Sequence, residues 1–193
     1  MIRKRVAILI SGRGSNMAAL IEAAKAPDYP AGIVLVVSNV AEAVGLDRAR
    51  AARIPTVVLD HKPFGKDRAG FEAALQTILD EHRIELICLA GFMRLFTAEF
   101  VQRWSGRMLN IHPSLLPLFA GLDPHGQALR AGAKISGATV HFVIPETDAG
   151  PIIAQESVPV RPDDTPESLA ARVLDAEHHL YPLALKRVAE GRA

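Results

Sequence analysis

Apolar runs of five to eight residues alternate with amphipathic stretches through the first hundred residues of the chain. The runs are rich in Val, Ile and Leu, as strands buried on both faces of a sheet are, and they lie at 5–11, 32–39, 56–60 and 85–92. Between them, apolar residues recur every three to four positions. This spacing predicts helices near 15–26, across 45–54 and over 65–82. The alternation predicts right-handed crossovers and an α/β fold: a doubly wound, mainly parallel sheet with helices on both faces.

The second half of the chain differs in its sequence pattern, because proline and glycine cluster through 113–126. Further strand-like runs flank this cluster, at 107–112, 137–144 and 151–160. A long last helix is predicted from Thr165, a favourable N-cap residue that proline follows at the permitted first helical position. Pro182 is expected to kink that helix. Since neither a linker nor an internal repeat is found, we expect a single domain over 1–193.

Composition and charge narrow the possible functions. Apolar residues make up 49% of the chain and charged residues 22%, as in an ordinary globular protein. The net charge is +1 and no dense Lys/Arg block occurs, so no nucleic-acid partner is expected. No apolar run is long enough to span a membrane, and we expect no membrane association and a cytoplasmic location. The single cysteine, Cys88, lies in an apolar run and is expected to be a buried thiol.

A glycine-rich turn, "SGRGSN" at 11–16, follows the first predicted strand and precedes the first helix. In a doubly wound fold, this position presents backbone N–H groups and a helix N-terminus to an anion. The dinucleotide pattern is not met, because Met17 stands where a third glycine is needed and Asn39 stands where an acidic residue is expected. Two alternatives stay open: a site for one phosphate group, or a tight turn with only a structural role.

Asn110 and His112 stand two positions apart at the end of a strand that Pro113 terminates, so both side chains point to the same face. An asparagine amide can donate to a developing oxyanion, and a histidine beside a carboxylate can transfer a proton near neutral pH. Asp148, in the loop "PETDAGP", is the candidate carboxylate. Such a set suits attack by an amine on a carbonyl-type carbon, without a covalent enzyme intermediate. The alternative for Asn110 and His112 is a polar strand end without chemistry.

Other polar residues in apolar surroundings allow weaker inferences. His141 lies in a predicted strand, where a histidine is more often structural than catalytic. A metal site is conceivable from His112, His125, His141 and Asp148. No chelating spacing supports such a site, so no metal is expected. Glu177 interrupts an apolar helix stripe, and it must therefore meet a cationic partner inside the protein or bind a polar ligand.

Together, these segments resemble one family over nearly the full chain: the phosphoribosylglycinamide formyltransferases (glycinamide ribonucleotide transformylases), folate-dependent enzymes of purine biosynthesis. The matching segments include "VAILISGRGSN", "LAGFMRLF", "GRMLNIHPSLLPLFAGLDPH", "GATVHFV" and "TDAGPII". The resemblance implies a formyltransferase-type, Rossmann-like fold. It implies transfer of the formyl group from 10-formyltetrahydrofolate, as co-substrate, to the amine of glycinamide ribonucleotide. It further implies small-molecule partners only, no metal, and a monomer or homodimer.

The resemblance also carries roles to single positions. The family's catalytic residues correspond to Asn110, His112 and Asp148. Its ribonucleotide contacts correspond to Gly14, Ser15, Asn16 and Glu177. Its folate pocket corresponds to Arg68, Met93, Arg94, Leu95, Phe96, Asn110, Ile144, Pro145, Glu146, Thr147 and Asp148. By this comparison, the half 1–100 binds the ribonucleotide and its phosphate, and the half 101–193 carries catalysis and folate binding.

Three positions depart from the family pattern. Leu118 stands where many members have a basic residue, Leu174 where some place a polar ligand contact, and Asp123 where some have histidine. Two related enzymes are disfavoured by their domains, because a methionyl-tRNA formyltransferase adds a C-terminal domain and a formyltetrahydrofolate hydrolase an N-terminal regulatory domain. The alternatives that stay are a hydrolase-like enzyme and a non-enzymatic nucleotide-binding module. The module would leave the three catalytic candidates without a role.

Overall fold

Seven strands form one sheet in the computed structural model, which describes residues 2–193. The strands are β1 (Lys4–Ile10), β2 (Ala31–Ser38), β3 (Thr56–Val58), β4 (Leu86–Leu89), β5 (Met108–His112), β6 (Ile135–Phe142) and β7 (Ile152–Pro159). Their order across the sheet is β3-β2-β1-β4-β5-β6-β7. Strands β1 to β5 are parallel, whereas β6 runs antiparallel to β5 and β7 antiparallel to β6. The predicted doubly wound, mainly parallel sheet is confirmed.

Helices cover both faces of the sheet. In the described part of the chain they are α1 (Ser15–Ala23), α2 (Val44–Ala51), α3 (Arg68–Glu81), α4 (Ala98–Arg103), α5 (Pro124–Arg130) and α6 (Pro166–Ala189). Alternate residues of β1 point to opposite sides, so Ile8 joins the core under α1, α2 and α6, whereas Leu9 joins the core under α3 and α4. Within residues 2–193, no helix is both long and apolar enough to cross a membrane.

The hydrophobic pattern does not predict the short helices α4 and α5, which have six and seven residues. Polar caps define where they begin, since the side chains of Thr97 and Asp123 each accept a hydrogen bond from a backbone N–H three residues on. An N-cap side chain also sets the start of α3, since Asp67 accepts a hydrogen bond from the N–H of Gly70. The helix therefore begins at Arg68, three residues later than predicted. The last helix continues through Pro182 to its end.

The strand order reverses between β1 and β4, and open α/β sheets bind ligands in the crevice beyond such a point. Strand β1 leads into the turn at 11–16, and β4 leads into a segment at 90–96. Strand β5, the parallel neighbour of β4, ends at His112. The fold thus brings these three polar segments to one edge of the sheet.

The hydroxyl of Tyr181 joins α6 to the middle of the sheet. It lies 2.9 Å from the carbonyl oxygen of Leu89 and 3.1 Å from that of Leu109, and the tyrosine is fully buried. Cys88 is also fully buried, as predicted, and burial raises the pKa of its thiol to about 12. The single hydrogen of this hydroxyl is shared between carbonyl groups of two neighbouring strands, at a point that water does not reach.

Tyr181→Phe should lower the free energy of unfolding by about 2 kcal/mol, because it removes from a fully buried site the hydroxyl that faces two sheet carbonyl groups. Tyr29→Phe is the matched control, since the Tyr29 hydroxyl donates to one carbonyl, that of Pro182, at 2.7 Å. We expect about 1 kcal/mol for the control. Urea unfolding of both variants measures the difference, and an equal or smaller loss for Tyr181→Phe would contradict the bridging role.

Candidate active site

The antiparallel pairing of β5 with β6 brings four polar side chains together. Asn110 is paired with His141, and His112 with Thr139. Directly opposite residues on neighbouring strands project to the same face, so the four side chains form one patch at the end of β5. His112, Thr139 and His141 are buried, and Asn110 is partly exposed. Asn110 is therefore the most exposed member of the patch.

Asp148 reaches this patch from the loop between β6 and β7. One carboxylate oxygen, Oδ2, lies 3.5 Å from Nδ1 of His112, and the other, Oδ1, lies 4.0 Å from Nε2 of His141. The backbone N–H of Gly121 donates to Oδ2 at 3.0 Å. Asp148 has a φ of 55°, in the left-handed region that a residue with a Cβ rarely adopts. The loop therefore holds the carboxylate beside His112 in a strained conformation, as functional sites often do.

Both ring nitrogens of His112 face oxygen acceptors. Nδ1 faces Asp148, and Nε2 lies 3.1 Å from the carbonyl oxygen of Phe119. A neutral imidazole carries only one N–H, so an N–H can face each of these two acceptors only in the imidazolium form. The surroundings of His112 thus offer an oxygen atom to each ring nitrogen.

His141 makes a different pair of contacts. Its Nδ1 lies 2.9 Å from the carbonyl oxygen of Phe142, and its Nε2 lies 3.4 Å from Nδ2 of Asn110. Burial lowers the pKa of His141, although the nearby Asp148 and the Phe142 carbonyl act in the opposite direction. A neutral ring is therefore favoured at this position near pH 7.

A cavity of about 520 Å³ opens beside these side chains. All the residues predicted to bind folate line it: Arg68, Met93, Arg94, Leu95, Phe96, Asn110, Ile144, Pro145, Glu146, Thr147 and Asp148. His112 and His141 line it too, together with residues that the sequence does not single out, such as Leu122 and Val143. Catalytic candidates and predicted folate residues therefore share one cavity.

Aromatic packing holds the 90–96 segment in place along the wall of this cavity. The guanidinium carbon of Arg94 lies 4.6 Å from the centroid of the Phe71 ring, on α3. The ring of Phe96 stacks on that of Phe100, on α4, with 4.8 Å between centroids. These side chains thus anchor the segment to α3 and α4.

A smaller cavity of about 260 Å³ lies over the glycine-rich turn at 11–16. Gly14 has a φ of 69°, which glycine adopts at no steric cost. Space is also short here, since an ideal Cβ built on Gly14 would lie 2.9 Å from Cα of Gly45, on α2. The N–H of Gly45 donates to the carbonyl oxygen of Gly12 at 2.9 Å. The turn is thus fixed against α2 through backbone atoms alone.

Ser11 connects the turn to the 90–96 segment. Its N–H donates to the carbonyl oxygen of Gly91 at 3.2 Å, and its hydroxyl accepts from the N–H of Met93 at 2.8 Å. The same hydroxyl donates to Oδ1 of the buried Asn39 at 2.5 Å. Gly91 and Met93 line both cavities, so the two cavities are neighbours and Ser11 links their walls.

Glu177, on α6, is buried and accepts a hydrogen bond from Nδ2 of Asn16 at 3.0 Å. Burial raises the pKa of Glu177 to about 7, and the hydrogen bond from Asn16 opposes this only in part. The sequence left a cationic partner or a polar ligand as alternatives, and the side chain that Glu177 meets is a neutral amide at the edge of the smaller cavity.

The predicted site residues other than Glu177 line the two cavities, Glu177 contacts one of them through Asn16, and their individual roles stay predictions. Sequence reasoning did not assign roles to Ser11, Gly121 or His141. A role for His141 could have been predicted from an antiparallel pairing of the two strands, because this pairing places His141 beside Asn110. Ser11 and Gly121 act through contacts with distant segments, for which the sequence gives no signal.

Asp123, a departure from the family pattern, caps α5 and pairs with Arg130 at 3.1 Å, so it has a local structural role. Within residues 2–193, no three His, Cys, Asp or Glu side chains converge closely enough to hold a metal ion.

Comparison with known proteins places this geometry in a family. Residues 4–185 match the formyl transferase family. The chain is 44% identical over 189 residues to the phosphoribosylglycinamide formyltransferase of Haemophilus influenzae, covering 98% of this chain and 89% of that protein. It superimposes on the crystal structure of phosphoribosylglycinamide formyltransferase from Brucella melitensis with a TM-score of 0.93, 55% identity and coverage of 99% and 98%.

A longer relative matches equally well over this length. The chain is 52% identical over 189 residues to the trifunctional purine biosynthetic protein adenosine-3 of Bos taurus. The matching part is 98% of this chain but only 19% of the bovine protein, which is thus about five times as long as the matching part. The chain therefore belongs to the formyl transferase family and, within it, to the phosphoribosylglycinamide formyltransferases.

Proposed function

We propose that this chain transfers the formyl group of 10-formyltetrahydrofolate to the amine of glycinamide ribonucleotide, in purine biosynthesis. The observation that carries the proposal is the position of Asn110, His112 and Asp148. They line the larger cavity, which borders on a smaller one at a glycine-rich turn. A transfer between two bound substrates needs such adjoining sites, because holding both reactants together supplies much of the rate enhancement.

The smaller cavity suits the ribonucleotide. Its turn at 14–16 offers backbone N–H groups at the start of α1, where a phosphate is stabilised by the helix N-terminus. The Ser15 and Asn16 side chains add donors. Glu177 contacts Asn16 of this cavity, and we assign it the role of accepting a hydrogen bond from a ribose hydroxyl.

The larger cavity suits the folate. Apolar side chains such as Leu95 and Val143 provide surface for a flat ring, and the backbone at 93–96 and 144–148 provides donors and acceptors for its edge. Arg68 lines the same cavity and offers a cation to the glutamate carboxylates of the folate. No bound prosthetic group is needed for this chemistry.

In the reaction, the substrate amine forms a bond to the formyl carbon, whose oxygen becomes an oxyanion. Asn110 Nδ2 and protonated His112 donate to that oxyanion, each stabilising the transition state by about 2–4 kcal/mol. His112 would exchange the contact of its Nε2 with the Phe119 carbonyl for one with the oxyanion. Asp148 stabilises the imidazolium by charge. Collapse then breaks the bond to N10 of the folate, and the proton lost by the amine passes to N10.

A hydrolase-like enzyme is the alternative, because the same three residues could direct water to the formyl carbon. The cavity at the phosphate-type turn favours the ribonucleotide, since a hydrolase has no need of it.

Absorbance of the product folate distinguishes the alternatives. If this product forms only when glycinamide ribonucleotide is present, the result supports transfer. Folate product without the ribonucleotide favours hydrolysis, and ribonucleotide binding without product favours a binding module. A cytoplasmic location and a monomer or homodimer stay predictions.

His112→Ala and Asp148→Asn should each lower kcat by about 100-fold or more, because the oxyanion loses a charged donor or that donor loses its counter-charge. Ribonucleotide affinity, measured by calorimetry, should change less than about threefold, since neither residue lines the smaller cavity. The exposed residues His179 and Asp28 supply matched controls, His179→Ala and Asp28→Asn. Near-normal turnover in either site variant would contradict the assigned roles.

Arg68→Ala should raise KM for the formyl folate by about 10-fold and leave kcat nearly unchanged, because a contact with the distal carboxylates is equally strong in ground and transition states. Arg50→Ala is the control, since Arg50 is exposed on α2 and pairs with Asp47 on the surface. Steady-state kinetics with varied folate decide this point. A fall in kcat without a change in KM would remove Arg68 from the folate contacts.

Glu177→Gln should change the pH dependence of stability. The pKa of Glu177 is about 7 in the folded chain against an ordinary 4.5, so the folded state holds a proton that the unfolded state has released. The native chain therefore loses stability as pH rises from 4.5 to 7, by about 3 kcal/mol, and the variant does not.

Urea unfolding at pH 5 and pH 8 measures this effect, as a variant-minus-native difference that grows with pH. Glu22→Gln is the control, because Glu22 is exposed and its surface ion pair contributes little, within about 0.5 kcal/mol at either pH. A difference for Glu177→Gln that stays constant between the two pH values would contradict the buried, proton-holding carboxyl.

A further inference from the structure

The contact between Asn110 and His141 has no role in the mechanism above, although the two residues are directly opposite on β5 and β6. The Nδ1 atom of His141 lies 2.9 Å from the carbonyl oxygen of Phe142. A carbonyl oxygen can only accept, so Nδ1 must carry the hydrogen of this bond. In a neutral ring, Nε2 is then a bare acceptor.

The bare Nε2 atom faces the amide of Asn110, at 3.4 Å from Nδ2. His141 is only 3% exposed, so water does not compete for this lone pair. Two charged or titratable groups also face the ring, Asp148 from the loop after β6 and His112 from β5. An amide turned the other way would place its oxygen lone pairs against the lone pair of Nε2, which is repulsive.

We propose that His141 is a positioning residue that fixes the orientation of the Asn110 amide, an inference that rests on the proposed function. With one N–H directed to Nε2, the second N–H of Asn110 is free to donate to the oxyanion. The amide oxygen then lies on the opposite side of the group, where it can accept from the attacking amine. Without His141, a rotated amide would present its oxygen to the oxyanion and oppose the reaction.

The surrounding backbone maintains this tautomer. An ideal Cβ built on Gly150 would lie 1.8 Å from the carbonyl oxygen of Phe142 and 3.4 Å from Nδ1 of His141. Only glycine at position 150 therefore leaves the Phe142 carbonyl where it accepts from His141. The same loop supplies Asp148, so one segment places the carboxylate and preserves the acceptor that orders the imidazole.

A double-mutant cycle tests the proposal. His141→Phe keeps a planar ring but removes the acceptor, and it should lower kcat by about 10-fold or more with both KM values within about threefold. Asn110→Ala should cost about 100-fold in the native background but less than about 10-fold in the His141→Phe background, because the amide is already misdirected there. His141→Gln restores an acceptor without an imidazole and should recover turnover to within about fivefold of native.

Several outcomes would overturn the proposal. If the losses of kcat caused by the two substitutions multiply independently in the cycle, His141 does not act through Asn110. If His141→Gln is as impaired as His141→Phe, the hydrogen-bond acceptor is not the property of His141 on which turnover depends. Thermal unfolding of each variant separates these results from loss of fold. If His141→Phe does not fold, the His141→Gln result decides.

Nitrogen NMR of histidine-labelled native protein tests the tautomer without any turnover. We expect a protonated Nδ1, an unprotonated Nε2, and a shift of the Nε2 resonance in Asn110→Ala. A ring protonated on Nε2 at pH 7.5 would overturn the proposal. Should the native chain form no formylated ribonucleotide, the proposed function fails, while this measurement still decides the role of His141 toward Asn110.

Discussion

The candidate site depends on the antiparallel pairing of β5 with β6. Strand β6 begins beyond the end of β5 and runs back along it, which puts Thr139 and His141 opposite His112 and Asn110. Thr139 secures this pairing from within. Its buried hydroxyl donates to the carbonyl oxygen of Ser114 at 2.7 Å, so the chain that leaves β5 is bound to β6 directly after its turn. The loop that follows β6 can then deliver a carboxylate to the same place.

Much of this could be predicted from the sequence. Continuous apolar runs predicted the parallel strands, and the two-residue spacing predicted that Asn110 and His112 share a face. The strand predictions succeed because they depend on local periodicity. The apolar stripe on the last helix predicted a cationic partner or a polar ligand for Glu177, whereas the side chain that it meets is the neutral amide of Asn16.

The rest depends on contacts between distant segments, which periodicity does not encode. The pairing partner of Asn110 is 31 residues away, and that of Glu177, Asn16, is 161 residues away. The positive φ of Asp148 is set by a loop that Gly150 lets pass close to β6. Short helices such as α4 escape prediction for a related reason: a single capping side chain starts them, with too few residues for a periodic stripe.

The close packing of Gly45 on the glycine-rich turn limits how this protein can be redesigned. A Cβ at position 45 would lie 2.5 Å from the Ile10 side chain and 3.0 Å from the carbonyl oxygen of Gly12, so the backbone of the turn cannot be reshaped from the α2 side. A designer who wants another anion there must work with the side chains that line the cavity, such as those at 13, 15 and 16. Selection faces the same restriction, because any larger residue at position 45 displaces the turn before it can offer a new contact.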